Sequence, residues 1–280
     1  MRVLVTGAAG QIGYELEQAF ADHEVIAASH DQLDVADREA VHAAIATARP
    51  EAVLHTAGWT AVDACEGDPD RAFAVNAMGT RHVAEASQRV GAHLCYLSTD
   101  YVFDGTKTEP YAEWDQTNPL SVYGQSKLAG EHELSAHEHA LVVRLSWVCG
   151  RRGQNMVKTI LRLAGEHDRL QFVDDQRGHP TFAGDAATMV RRLVAERRTG
   201  VFHVTNQGAV SWFEFARSVL ESAGEDPGRV EPIATADLHP PRPAKRPANS
   251  VLDNAALRLA NVPLLPHYRE SLDRLVAELT

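Results

Sequence analysis

Residues 2–5 are short, mostly apolar and β-branched, and T-G-A-A-G-Q-I-G at 6–13 follows them at once, before Y-E-L-E-Q-A-F continues at helical period. Strand, tight glycine turn and helix are what these segments spell. Gly7, Gly10 and Gly13 stand in G-x-x-G-x-x-G spacing. Without Cβ atoms they let the turn close and let a pyrophosphate approach the backbone, at a helix N-terminus whose amides point outward. A start of this kind points to a dinucleotide seated on the first strand-to-helix turn of an α/β fold.

The rest of the chain keeps the alternation. Strands are expected at 25–28, 52–55, 93–97 (running into Ser98 and Thr99) and 140–145, and helices at 38–48, 71–90 and 121–133. This spacing predicts a Rossmann-like, doubly wound parallel sheet covered on both faces. The dinucleotide-binding domain is expected over 1–147, with a helix at 185–196 and a strand at 201–204 returning to the sheet within 182–208. A smaller C-terminal substrate-binding lobe is expected from 148–181 and 209–265. It comprises a helix at 154–165, a strand at 170–173, a loop at 174–181, a helix at 212–223, a proline-rich loop and a segment at 254–259. The C-terminal helix, within 266–280, has either half to dock on.

Composition narrows the function classes. With 44% hydrophobic and 23% charged residues the chain is an ordinary globular one, and a net charge of −11 repels nucleic acid. The one basic stretch, H-P-P-R-P-A-K-R-P at 239–247, reads as a loop. Three cysteines without C-x-x-C spacing suggest reduced thiols and a cytoplasmic location. A first strand beginning at residue 2 or 3 leaves no room for a signal peptide, and the lack of an 18-residue apolar run argues against a membrane span. Fourteen histidines raise the question of a metal, above all E-H-E-L-S-A-H-E-H at 131–139. Its spacings repeat no known ligand pattern, so it reads as a solvated helix end and no metal is expected.

The chemistry is written in Y-G-Q-S-K. Tyr123 and Lys127, four residues apart, project from one helical face toward a common point. A phenol titrates near ~10, and a fixed positive charge nearby favours its phenolate, so the pair suits proton transfer around neutrality. At the end of the second strand an acid would bind the adenosine ribose hydroxyls and repel a 2′-phosphate. Ser29 and His30 stand there instead. NADPH is therefore favoured as cofactor, with NADH still open.

Several longer stretches carry a family likeness: T-G-A-A-G-Q-I-G at 6–13, T-A-V-D at 60–63, V-N-A-M-G-T at 75–80, L-S-T-D-Y-V-F-D-G at 97–105 and N-P-L-S-V-Y-G-Q-S-K-L-A-G-E at 118–131. R-L-S-W-V at 144–148, D-D-Q-R-G-H-P-T at 174–181 and R-P-A-N-S at 246–250 extend it over nearly the whole chain. On these residues the chain resembles the extended short-chain dehydrogenase/reductase superfamily and, within it, the dTDP-4-dehydrorhamnose reductases. The resemblance implies NAD(P)H-dependent reduction of dTDP-4-dehydro-L-rhamnose to dTDP-L-rhamnose. It implies that Thr99 hydrogen-bonds the ketone, Tyr123 supplies the proton, and Lys127 holds the nicotinamide ribose and lowers the tyrosine pKa. It places Asp100 and Trp147 at the sugar, and Gly10, Gln11, Ile12, Asp34, Val35, Ala57 and Gly58 around the cofactor.

Two departures matter. Some family members are described as magnesium-bridged dimers using glutamates; Glu15 fills one place, but Gly184 stands at the other, which implies a monomer or weak homodimer. Gly58 replaces a more usual alanine and implies a roomier cofactor wall. Rival readings are an epimerase or dehydratase, a reductase of another nucleotide 4-keto sugar, and a non-catalytic relative resembling the methionine adenosyltransferase regulatory subunit. Tyr101 stands where dehydratases resembling this fold carry the second acid of an Asp-Glu pair, and the presence of Thr99, Tyr123 and Lys127 together favours chemistry over regulation.

Overall fold

The computed structural model describes residues 1–279. Its centre is a six-stranded parallel sheet in the order β10-β5-β4-β3-β1-β2. The strands are β1 (Arg2–Thr6), β2 (Glu24–Ala28), β3 (Ala52–His55), β4 (His93–Thr99), β5 (Ala140–Leu145) and β10 (Gly200–His203). Between β1 and β3 the winding reverses, and a crevice opens there at the carboxyl ends of the strands. Helices α1 (Gln11–Ala19) and α8 (Ala183–Ala195) cover one face. Ile12, Leu16 and Phe20 meet Ala186, Val190 and Leu193 over Val3, Val5 and Leu54. Helices α2 (Arg38–Ala48) and α5 (Gly79–Val90) cover the other, with Val41, Ile45 and Val83 against Leu4, Val53 and Leu94. β4 is buried along its whole length, as a central strand of a doubly covered sheet should be.

The helix expected at 71–90 is three pieces. They are α4 (Pro69–Phe73), a π-helical turn at Ala74–Met78 and α5, and a further short helix, α3 (Val62–Gly67), precedes them. The wide turn carries Asn76, fully buried, whose side chain accepts the Trp59 N–H (2.7 Å) and donates to Trp59 O (3.1 Å) and Ser126 Oγ (3.0 Å). Such bulges gather at functional sites, and this one stitches the segment after β3 to α6 (Val122–His132).

The smaller lobe comprises α7 (Met156–Glu166), β7 (Leu170–Val173), α9 (Trp212–Ser222), β12 (Val230–Ile233) and α11 (Tyr268–Leu279) around Ile160, Phe215, Val219 and Leu272. The stretch expected as a loop at 174–181 contains two-residue strands, β8 (Arg177–Gly178) and β9 (Thr181–Phe182), which pair with β11 (Val210–Ser211) and β6 (Val148–Cys149). Within the stretch expected in the lobe, Leu257 of α10 (Ala255–Leu259), Val262 and Leu265 are buried in the core beside the sheet, and α10 packs on β10. The tail helix docks on the lobe.

The 131–139 segment also departs from expectation. Glu131 is no solvated end: it lies buried and takes a bidentate ion pair from Arg144 of β5 (2.9 and 2.7 Å), with Ser98 Oγ donating to it at 2.5 Å. Sequence period alone could not show this, because its partner lies on a neighbouring strand.

Candidate active site

A cleft of about 790 Å³ runs from the glycine turn, over the ends of β3 and β4, to the lobe. At one end Gly7 has φ +69°, and a Cβ there would come within 2.7 Å of Ala57 N. Only glycine fits so tight a crossing of two chain segments. Gly10 forms the N-cap of α1 without a side-chain cap, so the helix presents its first amides to the cleft. Val35, Ala57, Gly58, Gln11, Ile12, Gly13 and His30 line the same end. A cradle of this kind could hold a dinucleotide. The expected slack at Gly58 is small, because a Cβ there would stand 3.1 Å from Asn76 Oδ1.

Two residues expected at the cofactor lie outside the cleft wall. Ser29 sits just past β2 and gives its N–H to Gln32 Oε1 (2.9 Å), and Asp34 is exposed and accepts the Ala36 N–H (2.9 Å).

β4 delivers Thr99 and Asp100 to the middle of the cleft. Thr99 Oγ1 donates to Asp100 Oδ1 (3.0 Å) and accepts the Tyr101 N–H (3.2 Å). Opposite, Ser121 caps α6 by accepting the Gly124 N–H, so the helix starts just before Tyr123. Gly124 lets that helix press on the turn after β4: a Cβ would fall 2.2 Å from Tyr101 O. The close approach brings Tyr123 to Thr99, and the Tyr101 ring meets the Tyr123 ring edge-on at 5.8 Å. Lys127, one turn on, is buried, donates to Leu97 O (2.7 Å) and lies 4.0 Å above the Tyr96 ring.

Electrostatics differ from the expectation for the tyrosine. Burial pushes the Tyr123 phenol well above its ordinary value, with a hydrogen bond to Thr99 offsetting part of the rise. Burial likewise pulls Lys127 down to about 7, and the Glu131 carboxylate opposes the shift. Asp100 is pushed up to about 7 by burial, against hydrogen bonds from Ser250 and Thr99. Among the described residues its Oδ2 has no hydrogen-bond partner.

At the lobe end Trp147 holds φ +46° and stacks on Trp212 with ring centroids 3.5 Å apart and planes 9° off parallel. Both rings line the cleft. Sequence reading missed Trp212, and it missed Trp59, whose ring carries the Arg71 guanidinium at 4.5 Å. The capping box Ser211/Glu214 announces the start of α9, but nothing in the sequence aims Trp212 at Trp147. Trp59 directly follows Gly58 at the end of β3, a position that could have suggested it.

Away from the cleft, Glu15 pairs with Arg151 (3.0 and 3.1 Å), and Gly184 lies beside it. Among the described residues no group of three or more His, Cys, Asp or Glu could hold a metal ion, no helix is long and apolar enough to cross a membrane, and the three cysteines are free and buried.

The chain matches the RmlD substrate binding domain family over residues 1–280. A dTDP-4-dehydrorhamnose reductase of Sinorhizobium fredii is 43% identical over 99% of this chain and 97% of its own length. A probable dTDP-4,6-dihydroxy-2-methyloxan-3-one 4-ketoreductase of Streptomyces antibioticus is 41% identical over 97% and 93%. The crystal structure of a dTDP-4-dehydrorhamnose reductase from Bacillus anthracis in complex with NADP superposes with a TM-score of 0.95 at 37% identity, covering 99% of both chains.

Proposed function

Because the chain belongs to the dTDP-4-dehydrorhamnose reductase family, we propose that it reduces the C4 ketone of dTDP-4-dehydro-L-rhamnose to give dTDP-L-rhamnose, with NADPH as reductant and Tyr123 as proton donor. The observation that carries the residue roles is the convergence of Thr99, Tyr123 and Lys127 on one cleft that also holds the glycine cradle. When bound, the reduced nicotinamide supplies the hydride. Negative charge then grows on the ketone oxygen; the Tyr123 hydroxyl donates to it, and the Thr99 hydroxyl becomes a second donor by turning its proton from Asp100 Oδ1 to the substrate. The raised pKa of Tyr123 keeps it protonated at neutrality, as a donor must be. Once it has given up that proton, the Lys127 ammonium one helical turn away offsets the phenolate left behind.

Gly7, Gly10, Gln11, Ile12, Gly13, His30, Val35, Ala57 and Gly58 would hold the dinucleotide, and Asp100 and Trp147 the sugar. The absence of an acid at Ser29-His30 supports NADPH over NADH. Free buried thiols support a cytoplasmic setting. Glu15, already neutralised by Arg151 of its own chain, supports a monomer or weak homodimer.

Purified protein is given dTDP-4-dehydro-L-rhamnose with NADPH or NADH, and loss of reduced-nicotinamide absorbance is followed. Tyr123→Phe is expected to lower kcat by about 10²–10⁴. No oxidation of either cofactor, or an undiminished Phe variant, sinks the mechanism. The Streptomyces antibioticus relative favours a second reading, reduction of a different dTDP-4-keto sugar, which the same assay run across several such sugars decides.

A further inference from the structure

Lys127 is a cation in an unusual place. It is 4% exposed, one of its N–H groups is engaged by Leu97 O, and its Nζ lies over a ring that is itself fully buried. That ring is locked in position. The Tyr96 hydroxyl donates to Lys127 O (3.3 Å) and Asn76 O (3.5 Å), and the ring stacks on His55 at 5.5 Å and 26°. His55 is fixed in turn between the Thr6 and Thr80 hydroxyls, at 2.8 and 3.1 Å. Burial and the Lys127 charge pull His55 down to about 3, so the ring has a neutral imidazole as one neighbour and the cation as another.

We propose that the face of Tyr96 is a positioning element for Lys127, a cation–π seat that keeps the ammonium charged and aimed at the cleft in a site where burial works against charge. This rests on the reductase reading above and adds a residue to it. A lysine alone in such surroundings loses its proton readily. Leu97 O and the aromatic face together replace the hydration it has lost, leaving donor capacity for the cleft.

The groups facing Lys127 bound the prediction. They are His55 from β3, Tyr96 from β4, Asp100 after β4, Tyr123 and Glu131 from α6, and Arg144 of β5 through its pair with Glu131. Of these, replacement of Tyr96 by an aliphatic residue removes the π face and leaves every charged group in place. The charged form of Lys127 is then less favoured, so activity is lost at a lower pH on the alkaline side.

The test compares Tyr96→Phe, which keeps the face and drops the hydroxyl, with Tyr96→Leu and Tyr96→Met, which drop the face. Tyr96→Phe is expected within about twofold of wild type in kcat, with an unchanged pH profile. The aliphatic variants are expected to lose about tenfold or more in kcat at pH 8, with KM for the sugar little changed and the alkaline limb about one pH unit lower. Because the site is buried and an aliphatic variant can fail to fold, proton NMR of the wild type supplies a second readout. Among the four lysines, Lys107, Lys127, Lys158 and Lys245, the Lys127 ε-methylene, assigned with Lys127→Met, should resonate furthest upfield through the ring current, because its Nζ lies 4.0 Å from the Tyr96 centroid whereas that of Lys107 lies 5.7 Å from the Tyr111 centroid. The proposal is overturned by a wild-type profile in a folded aliphatic variant, by an equal loss in Tyr96→Phe, or by a Lys127 methylene that resonates with the others. A wild-type protein inactive on the sugar overturns the reductase reading instead, and the methylene shift still decides whether the ring seats the cation.

Discussion

The six-stranded sheet and the lobe that faces it are held together by different means. In the sheet, strands of four to seven residues pair in parallel, with apolar side chains filling the space to helices on both faces. In the lobe, β6, β8, β9 and β11 are two residues each, the β7–β12 pair is four, and Ile160, Phe215, Val219 and Leu272 are among the apolar side chains that pack three helices together. The proposed chemistry sits on the first kind of structure: Thr99 ends β4, and Tyr123 and Lys127 ride a helix pressed against the turn that follows it. The sugar site proposed above lies at the seam, where Trp147 stacks on Trp212 of the lobe. Proton transfer tolerates little displacement, and a substrate must enter and leave, so a stiff half and a looser half suit the two tasks.

The harshest way to break that contrast is Glu131→Ala. It leaves the Arg144 guanidinium buried without its carboxylate inside the sheet half, and a loss of about 3–5 kcal/mol in unfolding free energy is expected by denaturant titration. A loss below about 1 kcal/mol would mean that the buried pair does not organise this half.

Asp100, at the boundary, probes the site through pH. Its folded pKa, about 7, stands above the ordinary value of 3.8 that an unfolded chain has, so its contribution to stability is full below pH ~4 and is lost as pH rises through about 7. Asp100→Asn lacks that slope. The variant should gain on wild type by about 2–4 kcal/mol between pH 4 and pH 8, read as a widening gap in melting temperature. A gap independent of pH would show that Asp100 keeps its charge in the fold. Smallest is Trp212→Ala, expected to raise KM for the sugar about five- to tenfold with kcat nearly intact. Hydrogen exchange should quicken in α9 and the short strands of the lobe while β1, β3 and β4 stay protected. Equal loosening of both halves would erase the distinction.

Much of the sheet half could be read from the sequence, because its strands and helices repeat at periods that local composition records and its turn needs glycine for reasons of space. The bounds of β3, the start of α6 to within a residue and the cleft positions of Gly7, Tyr123 and Lys127 follow from such local signals, whereas Thr99 is singled out by family resemblance. The lobe could not be read in the same way. A two-residue strand such as Arg177–Gly178 exists only because Val210–Ser211 lies beside it, and no window of sequence around 177 contains that fact. The same holds for Glu131, which finds Arg144 across a helix-to-strand gap, and for Trp212, whose partner is 65 positions earlier in the chain. The π-helical turn at Ala74–Met78 was hidden inside an otherwise regular helical pattern. Tyr123 shows a different limit: proximity in sequence to a lysine gave the geometry of the pair, but burial, not the neighbour, sets the direction of its pKa.

Gly178 lies so close under the Trp147 indole that a Cβ would come within 2.6 Å of Cε2. For anyone redesigning this protein to accept bulkier sugars, that contact closes one route and opens another. Any side chain at 178 evicts the indole from its left-handed perch, so the floor of the platform is not a place to carve. The ring on α9 is held by stacking rather than by a backbone clash, and trimming Trp212 is the way to make room.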